Sequence, residues 1–162
     1  MDDGERVQPA TGPAIATGAL TAIALLIAGC ATTTTGPPPT SGLEGTRWRL
    51  EQIQSSDDAA GPLKPADPSL YQVEFRPDGA LAMKLDCNRA AGLWSARPSA
   101  PDRGTLTLSA AAMTRAMCPP GSLDTRIARD TEHVRSYVID GDRLSVSLEA
   151  DGGVYTWRRD HP

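Results

Sequence analysis

The sequence predicts a mostly β, α+β domain: a curled or barrel-like antiparallel sheet of about seven to eight short strands with one helix. Three observations carry this expectation. Beyond residue 42 the chain breaks into short segments in which apolar and polar residues alternate, the period-two spacing of a strand with one buried face. Turn signals rich in Gly, Pro and Asp separate those segments, as they do in curled and closed sheets. One stretch breaks the rhythm, Ser122 to about Val134, where Leu123, Ile127 and Val134 fall roughly on one helical face.

The elements follow in order. Thr46 to Ile53 alternates, with Trp48, Leu50 and Ile53 directed inward. Ser55 to Ser69 is polar and contains proline, so it reads as a long loop. Tyr71–Phe75 and Ala80–Leu85 form a hairpin around Arg76-Pro77-Asp78-Gly79, where Pro presets one φ and Gly accepts a positive one. Leu93–Ala96 is a weaker strand and Thr105–Leu108 a stronger one. Pro119 and Pro120 stop the chain before the helix, Ser122 is placed to cap it, and Asp124 suits its positive end. Ser136–Ile139 and Arg143–Leu148 flank the turn Asp140-Gly141-Asp142, and Asp151-Gly152-Gly153 leads into Val154–Trp157. The aromatics Trp48, Tyr71, Phe75, Trp94, Tyr137, Tyr155 and Trp157 lie on these strands and are expected to pack the core rather than stack a ligand.

The N-terminal part has another character. Ile15 to Gly29 is an uncharged, largely apolar run of fifteen residues. A spanning helix needs roughly 20, so residues 1–29 are expected to be a signal peptide. The run ends Leu26-Ile27-Ala28-Gly29-Cys30, which resembles the lipobox of bacterial lipoproteins and implies cleavage before Cys30 and lipidation of its thiol. The acidic start, with Asp2, Asp3 and Glu5 against Arg6, departs from the usual basic leader. Residues 30–42 then form a Thr- and Pro-rich tether, and residues 43–159 form the folded domain. The membrane is therefore an expected partner, through the lipid. The resemblance places the domain outside the cytoplasm, on the periplasmic face of the outer membrane in a Gram-negative cell, because Ala31 rather than aspartate follows the cysteine.

Charge narrows the function. The chain has 162 residues and a net charge of −4. Three acids and one base precede Cys30, leaving 15 bases and 17 acids, scattered rather than clustered. A nucleic-acid surface needs concentrated positive charge, so no nucleic-acid partner is expected. The sequence carries no P-loop, no dinucleotide glycine fingerprint and no serine-nucleophile elbow.

Two cysteines remain after Cys30. In an oxidising compartment Cys87 and Cys118 are most simply a disulfide. Free thiols, a metal site and a nucleophile activated by His133 are the alternatives. Zinc usually takes four ligands with close pairs, and here two distant Cys accompany only His133 and His161. His133 is expected at the end of the helix and His161 in solvent. Asp86, Asn88 and Arg89 read as turn-formers at the end of a strand. No metal, no cofactor and no catalytic residue is expected.

These residues together resemble the META/HslJ family over most of Leu43 to Arg159. The family's Trp-x-Leu strand is seen as Trp48-Arg49-Leu50, and its Phe-x-x-Asp-Gly hairpin as Phe75-Arg76-Pro77-Asp78-Gly79. Cys87-Asn88-Arg89 with Gly92-Leu93-Trp94, and then Thr114-Arg115-Ala116-Met117-Cys118, complete the pattern. Asp86 departs from it, since the family often has a small residue there, commonly Gly, and the helix is more polar than the family leads one to expect. The resemblance implies a compact antiparallel β fold with one helix, in a bacterial envelope protein. It marks Asn88, Arg89, Gly92, Thr114 and Arg115 as motif positions, and Cys87 with Cys118 as a structural pair. It implies associations with heat shock, novobiocin resistance and virulence, and a likeness in fold to pilotins, but no defined reaction. The expected function is a monomeric, non-catalytic, lipid-anchored envelope domain that binds a partner protein, peptide or apolar ligand, with a link to stress or antibiotic resistance. The alternatives are a pilotin-like secretion assembly factor and a cysteine-dependent enzyme.

Overall fold

A computed structural model describes residues 40–56, 59, 61–150 and 152–161. The apolar leader, the lipobox Cys30 and residues 31–39 of the tether lie outside the described residues.

Nine strands and one helix are described: β1 (Thr46–Gln54), β2 (Pro62–Leu63), β3 (Tyr71–Phe75), β4 (Ala80–Leu85), β5 (Asn88–Ala100), β6 (Arg103–Met113), α1 (Asp124–Asp130), β7 (Val134–Asp140), β8 (Arg143–Leu148) and β9 (Val154–Arg159). Spatial order runs β2-β1-β3-β4-β5-β6-β7-β8-β9, and β1 also pairs with β9. Every pairing is antiparallel. The β1–β9 ladder, from Trp48↔Arg159 to Gln54↔Val154, closes eight strands into a barrel, and the two-residue β2 adds to the end of β1. Closure pairs both edges that an open sheet would leave bare.

Period-two alternation builds the wall. Tyr71, Val73 and Phe75 of β3, Leu81, Met83 and Leu85 of β4, and Leu144 and Val146 of β8 are all buried. On β1 the alternation slips by one: Trp48, Leu50 and then Ile53 point inward. The register shifts between Leu50 and Gln52, where a bulge inserts one residue and turns the strand. Arg159 lays its guanidinium over the Trp48 ring at 4.2 Å, a cation–π contact.

Three expectations are corrected. Ser55–Ser69 is not all loop: it contains β2, and a three-ten turn at Pro68–Leu70 leads straight into β3. Leu93–Ala96 and Thr105–Leu108 are the middles of one long hairpin, β5 and β6, of 13 and 11 residues. Its outer ends, rich in Ala, Ser and Gly, bury little apolar surface, so they carry no alternation to read. The helix is also shorter than expected. A three-ten turn at Thr131–His133 follows α1, and Val134 already opens β7. The Thr131 hydroxyl bonds back to the Ile127 carbonyl at 2.7 Å, a local bond that competes with helix propagation. Leu123, not Ser122, occupies the N-cap, and the Ser122 Oγ accepts the Asp124 N–H at 3.4 Å.

β6 and β7 pair at only three positions, from Arg103↔Val138 to Thr105↔Ser136. Beyond Thr105 they part. Ile127 and Asp130 of α1 face the interior beside Val73, Leu108 and Tyr155, around a residual cavity of about 20 Å³. That is space for one water. The barrel is filled by its own side chains.

Candidate functional site

The motif residues converge where the β4–β5 turn meets the segment between β6 and α1. The turn is Asp86-Cys87, closed by the pair Leu85↔Asn88. Asp86 has φ +59°, the left-handed region that Asp tolerates better than most side chains. The departure at Asp86 thus falls where glycine fits most easily. The next residue, Cys87, is bonded to Cys118 with a Cα separation of 5.5 Å.

Asn88 opens β5 and is 1 % exposed, so the turn-former reading is corrected. Its Nδ2 donates to the Ala116 carbonyl at 3.0 Å, to Asp124 Oδ2 at 2.9 Å and to Cys118 Sγ at 3.3 Å. Its Oδ1 accepts from the Thr114 hydroxyl at 2.9 Å and the Ala116 N–H at 2.8 Å. One buried amide therefore spends its full hydrogen-bonding capacity on holding residues 114–118 and the start of α1. Arg89 donates its backbone N–H to Thr114 Oγ1 at 3.0 Å, and its guanidinium has no partner among the described residues. Burial opposes ionisation of Asp124. Hydrogen bonds from the Thr125 N–H, the Asn88 amide and the Ser122 and Thr125 hydroxyls outweigh it, so the carboxyl titrates below its ordinary value.

Gly92 faces a bulge in the β5–β6 ladder, between its partner Ala110 and Ala112. A Cβ on Gly92 would lie 1.7 Å from the Ser109 carbonyl oxygen. The motif glycine therefore permits a backbone approach that no side chain allows. Arg115 is exposed and lines a cleft of about 380 Å³ between the end of β6 and α1, together with Met113, Ala116, Asp124, Thr125 and Ala128.

The proposed Cys–His pairing is not formed. Cys87 and Cys118 are bonded to each other, and His133 Nδ1 lies 2.7 Å from Glu149 Oε1 on the surface. His133 lies in the three-ten turn after α1, and His161 is exposed beside Asp142 at 3.2 Å. Among the described residues no three His, Cys, Asp or Glu side chains gather into a metal site. Sequence reasoning missed the role of Asn88, because its partners lie 26 to 36 residues away and no local pattern signals them.

Two solved structures share this architecture. An NMR structure of a protein from Burkholderia xenovorans matches with a TM-score of 0.57 at 18 % identity, covering 78 % of this chain and 93 % of the other. A crystal structure of a DUF4847 family protein from Bacteroides vulgatus matches with a TM-score of 0.53 at 12 % identity, covering 74 % of this chain and 96 % of the other. At such identities the likeness is one of fold. No functionally curated protein matches the sequence. The META domain family model matches residues 41–161, a span that takes in the Trp48 strand, the Asp78-Gly79 hairpin and the whole Asn88–Cys118 knot. The chain belongs to the META domain family.

Proposed function

We propose that this protein is a non-catalytic, lipid-anchored domain of the cell envelope that binds an extended segment of a partner protein. One observation carries the reading. Among the described residues, no strand pairs with Leu106–Met113 of β6 on the side that faces away from β5. No backbone hydrogen bond joins this stretch to α1 or to the Thr131–His133 turn among the described residues. Eight residues of strand measure roughly 26 Å. Natural edges are guarded by charge, proline, brevity or a covering element; here the Thr131–His133 turn packs beside part of β6, but no charged residue or proline lies between Gly104 and Met113. Such an edge accepts an extended peptide as an added strand, with side-chain pockets supplying selectivity. The cleft beside Arg115 and Asp124 adjoins it. The filled interior favours a protein partner over an apolar ligand, which would need a chamber of roughly 300 Å³ or more.

The lipid anchor rests on the lipobox at Cys30. Cys30→Ala is expected to release the protein from membranes, and retention would indicate an uncleaved span. The binding reading is tested by a photo-crosslinking residue at Ala111 in the full chain, expressed in cells. The expected result is one discrete adduct at Ala111 that disappears when Thr107→Lys and Ser109→Lys guard the edge, and no such adduct from Ser145 on the opposite wall. Equal adducts at both positions, or none at Ala111, would refute it.

A further inference from the structure

On the outer wall of β3, β4 and β5 lies a hollow of about 440 Å³, lined by Arg47, Gln72, Glu74, Ala82, Lys84 and Arg89. Lys84 and Arg89 sit directly opposite each other across the β4–β5 ladder. Like charges so placed weaken a sheet, and neither cation forms an ion pair among the described residues. Lys84 Nζ donates only to the Ser69 carbonyl, at 3.0 Å, and the Arg89 guanidinium has no partner among the described residues. The nearest carboxylate in the hollow, Glu74, is already shared between Arg47 at 3.5 Å and Arg76 at 3.3 Å. Asp67 is held below its ordinary pKa chiefly by hydrogen bonding to Ser69, with a lesser contribution from Lys84, and forms no ion pair with it.

Farther along the same row the cations are matched. Arg49 faces Gln72 and pairs with Asp160, and Arg158 pairs with Glu51 at 3.2 Å. The unanswered charge is therefore local to Lys84 and Arg89, on a chain whose net charge is −4. The floor is low because Ala82 faces Ala91 across the ladder, so the long basic side chains stand around it.

We propose that this hollow binds a phosphate group, with Lys84 and Arg89 as its principal cations and Arg47 at its rim. A guanidinium fork matches two oxygens of a tetrahedral oxyanion, and an ammonium supplies a point charge beside it. Bound phosphate would answer both cations together and offset the repulsion between them. The site lies on a different wall from the β6 edge and does not depend on the partner reading.

The test is a two-dimensional NMR titration of the full chain in a nonionic detergent at constant ionic strength. The probes are sodium pyrophosphate, inorganic phosphate and the diester glycerophosphoglycerol. Saturable shifts are expected at the amides of Gln72, Ala82, Lys84 and Arg89. The dissociation constant should rise at least tenfold in the Lys84→Gln/Arg89→Gln double variant and stay within twofold in Arg103→Gln, whose cation pairs with Asp102 elsewhere. Saturation by the inorganic anions alone supports a soluble phosphate as the natural source, and saturation by the diester supports a lipid headgroup. No saturable shift with any probe, or equal weakening in Arg103→Gln, overturns the proposal. The double variant removes a like-charge opposition, so it should keep its fold. If its spectrum nevertheless collapses, Ala82→Glu decides, since a carboxylate on the floor must abolish binding for the site to stand.

Discussion

The Asn88 amide donates to the Asp124 carboxylate over 2.9 Å, joining the first residue of β5 to the first residue of α1. The same side chain holds both the N–H and the carbonyl of Ala116. Asn88→Ala would remove hydrogen bonds to groups that are themselves half-buried or exposed, each with a net contribution of about 1 kcal/mol. A loss of about 3 kcal/mol is expected by urea denaturation, and a loss below about 1 kcal/mol would show that residues 114–118 are held by other means.

That bond also has a pH signature. Asp124 titrates below its ordinary value in the folded chain. Its contribution to stability is therefore complete above the unfolded carboxyl pKa of about 3.9 and is lost as pH falls through the lower folded value. Stability should decline on acidification below about pH 4, and less steeply in Asn88→Ala than in the native chain. Parallel acid profiles of the two proteins would contradict this.

The Cys87–Cys118 bond closes a loop with a sequence separation of 31 residues. In the chain-entropy model such a closure contributes about 3.7 kcal/mol. The Cys87→Ser/Cys118→Ser variant should lose about that amount, and a reductant should lower the melting temperature of the native chain but not of the variant. A thiol count on the exported, denatured protein, made without reductant, should find neither cysteine free.

Two buried tyrosines should respond in opposite directions. Tyr155 donates to Asp130 Oδ2 at 2.6 Å inside the barrel, and burial, with that bond and the charge behind it, pushes its phenol upward. The Tyr137 hydroxyl is buried with no hydrogen-bond partner among the described residues. Tyr155→Phe should cost about 2 kcal/mol by stripping a charge-assisted bond, whereas Tyr137→Phe should be neutral or stabilise by about 1 kcal/mol. Destabilisation in Tyr137→Phe would mean that water occupies that site.

Backbone conformation separates two further motif positions. Asp86→Gly relieves a left-handed residue and should stabilise by up to about 1 kcal/mol, allowing for the extra freedom that glycine brings to the unfolded chain. Gly92→Ala brings a methyl into the Ser109 carbonyl and should cost about 3 kcal/mol or disrupt the β5–β6 hairpin. Calorimetry on both variants checks the signs.

Several features were legible because they depend on neighbours in the chain. Tyr71, Val73 and Phe75 announce a half-buried strand by spacing alone, and Pro77 with Gly79 announces the turn that follows. Others were hidden for the same reason. The inward set Trp48, Leu50 and Ile53 was readable, but the bulge that reconciles its uneven spacing was not, because it forms opposite β9, which begins 100 residues after Gln54. The long ends of β5 and β6 bury too little apolar surface to imprint a period, so only pairing reveals them.

By itself the sequence determined the fold class, the single helix, the apolar core and the family. These follow from local periodicity, turn chemistry and a linear motif. The tertiary structure alone decided that β1 meets β9 and closes the barrel, that its interior is filled, and that β6 leaves β7 after Thr105 with no strand paired beyond it among the described residues. It alone set Lys84 against Arg89 and placed the Asn88 amide among Thr114, Ala116, Cys118 and Asp124. The physical reason is that long-range strand register and buried hydrogen-bond partners are settled when distant segments pack together, and neither leaves a mark in the spacing of adjacent residues.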